Sequence, residues 1–330
     1  MVELLNSSRL KTYRACPRQH YLAYVQGYAP RAVAPALEFG TGMHEALAAW
    51  WTASRADAFA QALASLPAGW DPYVRARAEA MLAGYDAFWT LEGFEALEVE
   101  RSFRLPLINP ESGHPSRTWE LGGTVDGIVR GADGRVWVLE HKTTSEDAGP
   151  GSAYRRRLAM DGQVSQYIEG AAALGYEVAG VLYDVLVKPD LRPLRATPPE
   201  QRKYTRPTKA DPTPRLYAAQ RDRDETPAEY GARVVDAIVA APHRYFARLE
   251  VVRLEHERED WRFDVWQLAE QMRASARTGR APKNPDACFR YGTPCAFFDA
   301  CTGASSLDDP TRFVRAPAPA APAAASGRAA

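Results

Sequence analysis

The stretch from Gly122 to Thr144 constrains the fold of this chain more than any other. Apolar residues alternate on both sides of Ala132-Asp133-Gly134, a tripeptide with turn chemistry, so the stretch reads as a β-hairpin. Asp126 lies on its first arm, and Glu140 and Lys142 lie near the end of the second. Side chains alternate with period two along a strand, so Glu140 and Lys142 point to one face and His141 to the other. Two carboxylates and an amine therefore converge on one end of an apolar hairpin. Carboxylate oxygens suit a hard divalent cation, and an ammonium beside them suits a phosphate or an attacking water. That combination matches phosphodiester hydrolysis; the plainer alternative is a solvated ion pair at a strand end.

Before the hairpin the chain reads as helical. Ser7 to Cys16 starts on serines and spaces Leu10 and Tyr13 as a short helix does, and Pro17 opens a second helix with Cys16 at the junction. Phe39 to His44 reads as a glycine-bearing turn feeding a helix that reaches Trp51, and Asp71 to Phe94 as a further helix. The period switches at Leu97 to Leu105, which alternates like a half-buried strand. After the hairpin, Gly162 to Leu174 reads as a helix capped by Asp161, and Val178 to Val187 as a central strand. The order strand, hairpin, helix, strand predicts an α/β core with a mixed sheet, since hairpins pair antiparallel and helical crossovers pair parallel.

Lys188 to Pro227 is rich in proline, and its first part, Lys188 to Lys209, holds seven Lys or Arg residues, which reads as a basic insertion. Pro227 to Leu249 reads as a helix, Val251 to Leu254 as a short strand, and Trp261 to Arg277 as another helix. From Ala316 onward Ala and Pro dominate, and the tail over 316–330 reads as disordered. The expected organisation is one domain over residues 1–315. It divides into a helical part (1–94), an α/β core (95–187), the insertion (188–227), and C-terminal helices with a cysteine cluster (228–315).

With 330 residues, of which 46% are hydrophobic, the chain can bury a large core. Lys plus Arg equals Asp plus Glu at 41 each, so any basic surface for nucleic acid must be local. No apolar run approaches the roughly 18 residues of a membrane span, and Met1 to Lys11 lacks the apolar stretch of a leader, so a cytoplasmic protein without a membrane partner is expected. In that compartment thiols stay reduced, so Cys16 and the trio Cys288, Cys295 and Cys301 read as ligands for a 4Fe-4S cluster or Zn2+.

Phe39-to-His44, Gly123-to-Asp126, Glu140-to-Thr143 and Gln163-to-Tyr167, in that order, resemble the motifs of the PD-(D/E)XK nuclease superfamily, in particular its RecB-like branch. The resemblance implies a restriction-endonuclease-like core with a central mixed β-sheet flanked by helices. It implies that His44, Asp126 and Glu140 bind Mg2+ or Mn2+, with the His141 backbone carbonyl completing the shell. Lys142 would then orient the attacking water or stabilise charge on the phosphate, with Gln163 and Tyr167 in support. These last two are four residues apart and share a helix face on spacing alone. Lys142, desolvated or beside a cation, is expected to have a lowered pKa.

Cys16 and the C-terminal trio resemble the iron-sulfur staple of RecB-like nucleases such as AddB nuclease domains and CRISPR adaptation exonucleases. The six residues between Cys288 and Cys295 are a wider gap than many of those proteins show. The implied activity is a metal-dependent DNA nuclease, an exonuclease on single strands or duplex ends, serving recombination, repair, phage DNA processing or CRISPR adaptation. A helicase, a recombinase or a CRISPR adaptation protein would be its partner, because the chain has no Gly-x-x-x-x-Gly-Lys-Ser/Thr loop and unwinding must come from elsewhere. For DNA contact, the candidates are Lys188 to Lys209 with Tyr204, Arg155 to Arg157, and Arg14, Arg18 and Tyr21. Two other classes compete. A non-catalytic DNA-binding module with a nuclease-like fold stabilised by a metal cluster should have lost one of Asp126, Glu140 and Lys142, and a zinc-stabilised hydrolase of another phosphoester would differ in metal content.

Overall fold

A computed structural model describes residues 2–32, 34–90, 93–206, 213–290 and 292–315. The chain opens on β1 (Glu3–Leu5) and α1 (Ser7–Ala15), whose N-terminus is capped by Asn6 accepting the Arg9 amide. Pro17 starts α2 (Pro17–His20), which runs on as a π-helical turn over Tyr21–Val25. After β2 (Tyr28–Pro30) come α3 (Pro35–Thr52), α4 (Ala58–Ser65) and α5 (Pro72–Phe88). The strands β3 (Phe94–Ile108), β4 (Pro115–Gly131) and β5 (Val136–Thr144) form a meander. Its β4–β5 turn places Gly134 at φ +82°, where a side chain would be strained.

Two helices, α6 (Ala153–Ala159) and α7 (Gly162–Ala173), cross over to β6 (Gly180–Val187), a strand buried along its whole length. A largely irregular segment leads to α8 (Pro227–Ala240), β7 (Phe246–Val251) and α9 (Glu255–Thr278). The last segment carries β8 (Phe289–Arg290), β9 (Thr293–Pro294), α10 (Phe298–Thr302) and β10 (Phe313–Arg315).

The six-stranded sheet is mixed, as the order of elements predicts. Along one edge of β4 runs β3, antiparallel; its other edge takes β1, parallel, near its start and β5, antiparallel, near its end. The crossover makes β6 parallel to β5, and β7 closes the sheet antiparallel to β6. Trp137 and Leu139 of β5 face a layer of α3, α4, α5 and α8 that includes Met43, Leu47, Trp51 and Tyr85. Val138, between them, faces α7 through Val164, Tyr167 and Ile168. A third cluster packs α1 and α9 against β1 and β4 through Leu10, Tyr13, Trp119, Trp261 and Val265. A fourth, Leu22, Tyr28, Phe297 and Phe313, lies where β10 pairs with β2.

Several elements differ from the sequence expectation. The glycines before His44 are not in a turn but inside α3, where Trp70 packs so closely that a Cβ on Gly42 would come within 2.4 Å of its ring. The helix expected to reach Leu249 stops at Ala240, two residues before Pro242, and the strand expected at Val251 to Leu254 lies earlier, as β7 over Phe246–Val251, in register with β6. The helix expected to end at Phe94 ends at Phe88, and Phe94 begins β3. Both β1 and β2 are too short to show a period. Lys209 and the Ala/Pro tail over 316–330 lie outside the described residues. Among the described residues, no helix is long and apolar enough to cross a membrane.

A polar layer is buried under β5 and β6 on the α3–α5 face. Asp184 Oδ2 lies 3.0 Å from His141 Nδ1 and accepts the Tyr85 hydroxyl at 2.7 Å, while Asp184 Oδ1 accepts Arg248 Nε at 3.1 Å. The Arg248 guanidinium lies 3.9 Å from the centre of the Trp89 ring. Burial alone would raise the Asp184 pKa, but Arg248 and the hydrogen bonds from His141 and Tyr85 outweigh it and hold the carboxyl at about 2. A carboxyl depressed on folding stabilises fully above its unfolded pKa of about 3.9, and that stabilisation is lost as pH falls through the folded value. Asp184→Ala removes the buried carboxylate that holds His141, Tyr85 and Arg248 together and should cost about 3–5 kcal/mol in denaturant melts at pH 7, a gap that narrows as the pH drops below about 4. Equal unfolding midpoints at pH 7 would contradict this.

Candidate active site

The β4–β5 ladder runs from Arg130–Val136 to Gly127–Leu139 and ends there. One step further, the Asp126 carboxylate, not the β4 backbone, accepts the His141 amide at 2.7 Å. The strands part at that point, and the opening holds most of the residues singled out from the sequence. His44 of α3 places Nδ1 3.3 Å from the same Asp126 oxygen. Glu140, 3% exposed, accepts with Oε1 from the Lys142 ammonium and from Gln163 Nε2 at 2.9 Å. Its Oε2 is buried without a hydrogen-bond partner.

Gln163 is the hub on the α7 side. Its amide nitrogen also donates to the Tyr167 hydroxyl at 2.7 Å, and its carbonyl oxygen accepts from Lys142 at 3.2 Å and from Lys11 at 3.1 Å. The helix spacing of four thus brings Gln163 and Tyr167 to one face, as expected. Lys11 also bonds Asp161, the residue that caps α7, at 2.8 Å. Gln166 faces elsewhere and ties α7 to the carbonyls of Leu5 and Gly122.

Charge balance sets the protonation of this group. Burial would raise Asp126, but the hydrogen bond from and the charge of His44, with the His141 amide, hold it below the usual range. Burial raises Glu140 in spite of Lys142, and the Asp126 charge adds to that rise. For Lys142 the sequence expectation of a lowered pKa is corrected. Burial does push it down, but the Glu140 carboxylate outweighs burial and the ammonium is held above its ordinary value.

Two contributors escaped the sequence reading. Lys11 lies on α1, far away in sequence, and nothing in its surroundings there marks it. Glu100 lies on β3 between the pairs Val99–Gly127 and Arg101–Val125, so it stands level with Asp126. Glu100 is the one non-glycine among the described residues with positive φ, +50°, a conformation costing roughly 1–2 kcal/mol. Its alternation with Glu98 reads as a solvent face until the β3–β4 register is known.

His141 turns its ring to Asp184 and away from Glu140 and Lys142, as the strand period predicts. Among the described residues, no three His, Cys, Asp or Glu side chains are grouped as a metal shell. The donor set nonetheless fits Mg2+ or Mn2+: a cation would satisfy the orphaned Glu140 oxygen, beside the Asp126 carboxylate and the His44 imidazole.

All four cysteines are free, and they line one small cavity with Gln19, Lys283, Phe297 and Phe298. Burial raises the Cys295 thiol, and the neighbouring Cys16, Cys301 and Cys288 push it further. Asn284 donates to the Ala15 carbonyl at 2.8 Å and the Arg18 amide to the Pro282 carbonyl at 2.9 Å, tying the end of α1 to the C-terminal segment. Thiols are the donor type an iron-sulfur or zinc group takes, but among the described residues no three of them are grouped closely enough to form a metal shell. Several basic candidates for DNA contact are engaged locally. Arg157 pairs with Glu146 at 2.6 Å, Arg14 with Asp264 at 3.6 Å, and Arg155 and Arg202 donate to backbone carbonyls. Lys203, Tyr204 and Arg206 are exposed.

The family profile of the PD-(D/E)XK nuclease superfamily matches residues 5–302. No curated protein matches the chain.

The His44–Asp126 contact predicts a titration. Burial would lower His44, but the hydrogen bond to Asp126 and its charge outweigh it and raise the imidazole above its ordinary 6.5. The pair's stabilisation is therefore full below 6.5 and fades as pH rises through the folded value. NMR titration without divalent cations should give His44 a pKa above 6.5 in the wild type and below 6.5 in Asp126→Asn, where burial prevails. A value unchanged by the substitution would contradict the pairing.

Proposed function

The chain belongs to the PD-(D/E)XK nuclease superfamily, and from that membership we propose that it is a Mg2+- or Mn2+-dependent deoxyribonuclease of RecB-like type, acting as an exonuclease on single strands or duplex ends. One observation carries the reading: Glu140 and Lys142 meet Gln163 on one face of β5 beside the Asp126–His44 pair, with one buried Glu140 oxygen left unpaired. A structural ion pair has no need of that oxygen. A cation ligand does.

In this reading Asp126, Glu140 and His44 hold the cation, with the His141 carbonyl. When bound, a divalent cation supplies Lewis-acid polarisation of the scissile phosphate and eases the ionisation of water. Lys142, held by Glu140 and Gln163, presents its ammonium to the site. It orients the attacking water and stabilises the charge that develops on the phosphoryl oxygens. Gln163 fixes Lys142, Glu140 and Tyr167 through three of its hydrogen bonds, and Lys11 holds Gln163 from α1.

The four cysteines hold a structural 4Fe-4S cluster that joins α1 to the C-terminal segment; zinc is the competing occupant. The biological setting is recombination, repair, phage DNA processing or CRISPR adaptation, with a helicase, recombinase or adaptation protein as partner. Exposed Lys203, Tyr204 and Arg206 are the loop residues best placed to follow a DNA strand.

With end-labelled single- and double-stranded DNA and Mn2+, the wild type should degrade DNA, and Asp126→Ala and Lys142→Ala should each lose at least about 100-fold in rate. A wild type that leaves DNA intact under reducing, cluster-preserving conditions would sink the enzyme reading. Separately, Cys295→Ser should bleach a brown protein and lower its melting temperature. A colourless wild type as stable as the variant argues against the cluster, and zinc by metal analysis assigns the alternative.

A further inference from the structure

The ligand set proposed above draws on α3, β4 and β5 and leaves out β3. Glu100 of that strand lies level with Asp126, between the ladder pairs Val99–Gly127 and Arg101–Val125, and the Asp126 charge acts on its carboxyl more than any other charge does. Like charges so placed repel. Yet Glu100 has no hydrogen bond or ion pair among the described residues, and the charges acting on its carboxyl are those of Asp126, His44, His141 and Glu140. Glu100 is an exposed residue where the strands part, although burial still acts on its carboxyl, while Glu140 is buried with Oε2 unpaired. A second carboxylate facing Asp126 without a basic partner gives the folded chain nothing, unless a cation sits between them.

We propose that Glu100 is a further carboxylate ligand of the divalent-cation site, reaching it from β3, so that the affinity for Mg2+ or Mn2+ depends on it. This rests on the metal-dependent reading given above. A hard cation takes several oxygen ligands, and Glu100, Asp126 and the free oxygen of Glu140 supply carboxylate oxygens from three adjacent strands. The cation turns the repulsion between Glu100 and Asp126 into shared attraction. The backbone strain at Glu100 is then the cost of aiming a carboxylate at the site from a position where a glycine would sit without strain.

The test is Mn2+ titration of the full chain without DNA, by calorimetry or by the loss of the free Mn2+ electron paramagnetic resonance signal, with melting curves in the presence and absence of Mn2+. The proteins compared are wild type, Glu100→Gln, Glu100→Gly and Asp126→Ala. The wild type should bind and Asp126→Ala should not. Both Glu100 variants should bind at least tenfold more weakly. Without Mn2+ they should melt at or above the wild-type temperature, Glu100→Gly highest, while their Mn2+-induced rise is smaller. A purely structural Glu100 would lower the metal-free melting temperature and leave affinity alone, and either result overturns the proposal. A wild type that binds no Mn2+, or an Asp126→Ala protein that binds like wild type, overturns the metal-dependent reading itself.

Discussion

The site depends on one hydrogen bond, from the His141 amide to the Asp126 carboxylate. A charge-assisted bond of this kind contributes roughly 1.5–3 kcal/mol. Its larger effect is topological: it ends the β4–β5 ladder without leaving a buried amide unpaired, so the strands can part. Into the opening come His44 from α3, Glu140 and Lys142 from β5, and Gln163 from α7. The other side of His141 is anchored as firmly, its ring held by Asp184 and through it by Tyr85 and Arg248. The residue between Glu140 and Lys142 is thus fixed by its amide on one strand and by its ring on the next.

Electrostatics explains why so dense a cluster of acids is tolerated. Glu140 is buried and Asp126 half-buried, and each has a basic neighbour, His44 for Asp126 and Lys142 for Glu140. The Glu140–Lys142 pair leaves one buried Glu140 oxygen without a partner, and Glu100 adds a third carboxylate without an ion pair among the described residues. A fold selected for stability alone would neutralise or remove these groups, because unpaired buried charge is costly. Their arrangement where the strands diverge is what supports the proposed cation site.

Much of this was legible in the sequence, for definite reasons. Strict alternation around Asp133-Gly134 specified the hairpin, and period two separated His141 from Glu140 and Lys142. Helical spacing put Gln163 and Tyr167 on one face. What sequence alone hides is register and tertiary override. Glu100 reads as one more polar residue on an alternating strand until its place level with Asp126 is known. Lys11 belongs to the site only because α1 packs near the cap of α7. Glycines at 40 and 42 suggest a turn, but α3 runs through them because Trp70 needs the space of a missing Cβ at Gly42. Likewise β7 is concealed by apolar residues that continue the pattern of α8 until pairing with β6 decides their conformation.

The central claim is that Asp126 both parts the strands and binds a divalent cation. It is tested most directly by anomalous scattering from crystals grown or soaked with Mn2+. The account predicts an anomalous peak enclosed by Asp126, the free oxygen of Glu140 and His44, with the His141 amide still bonded to Asp126. A site without a peak at millimolar Mn2+, or a peak that these residues do not touch, would contradict it.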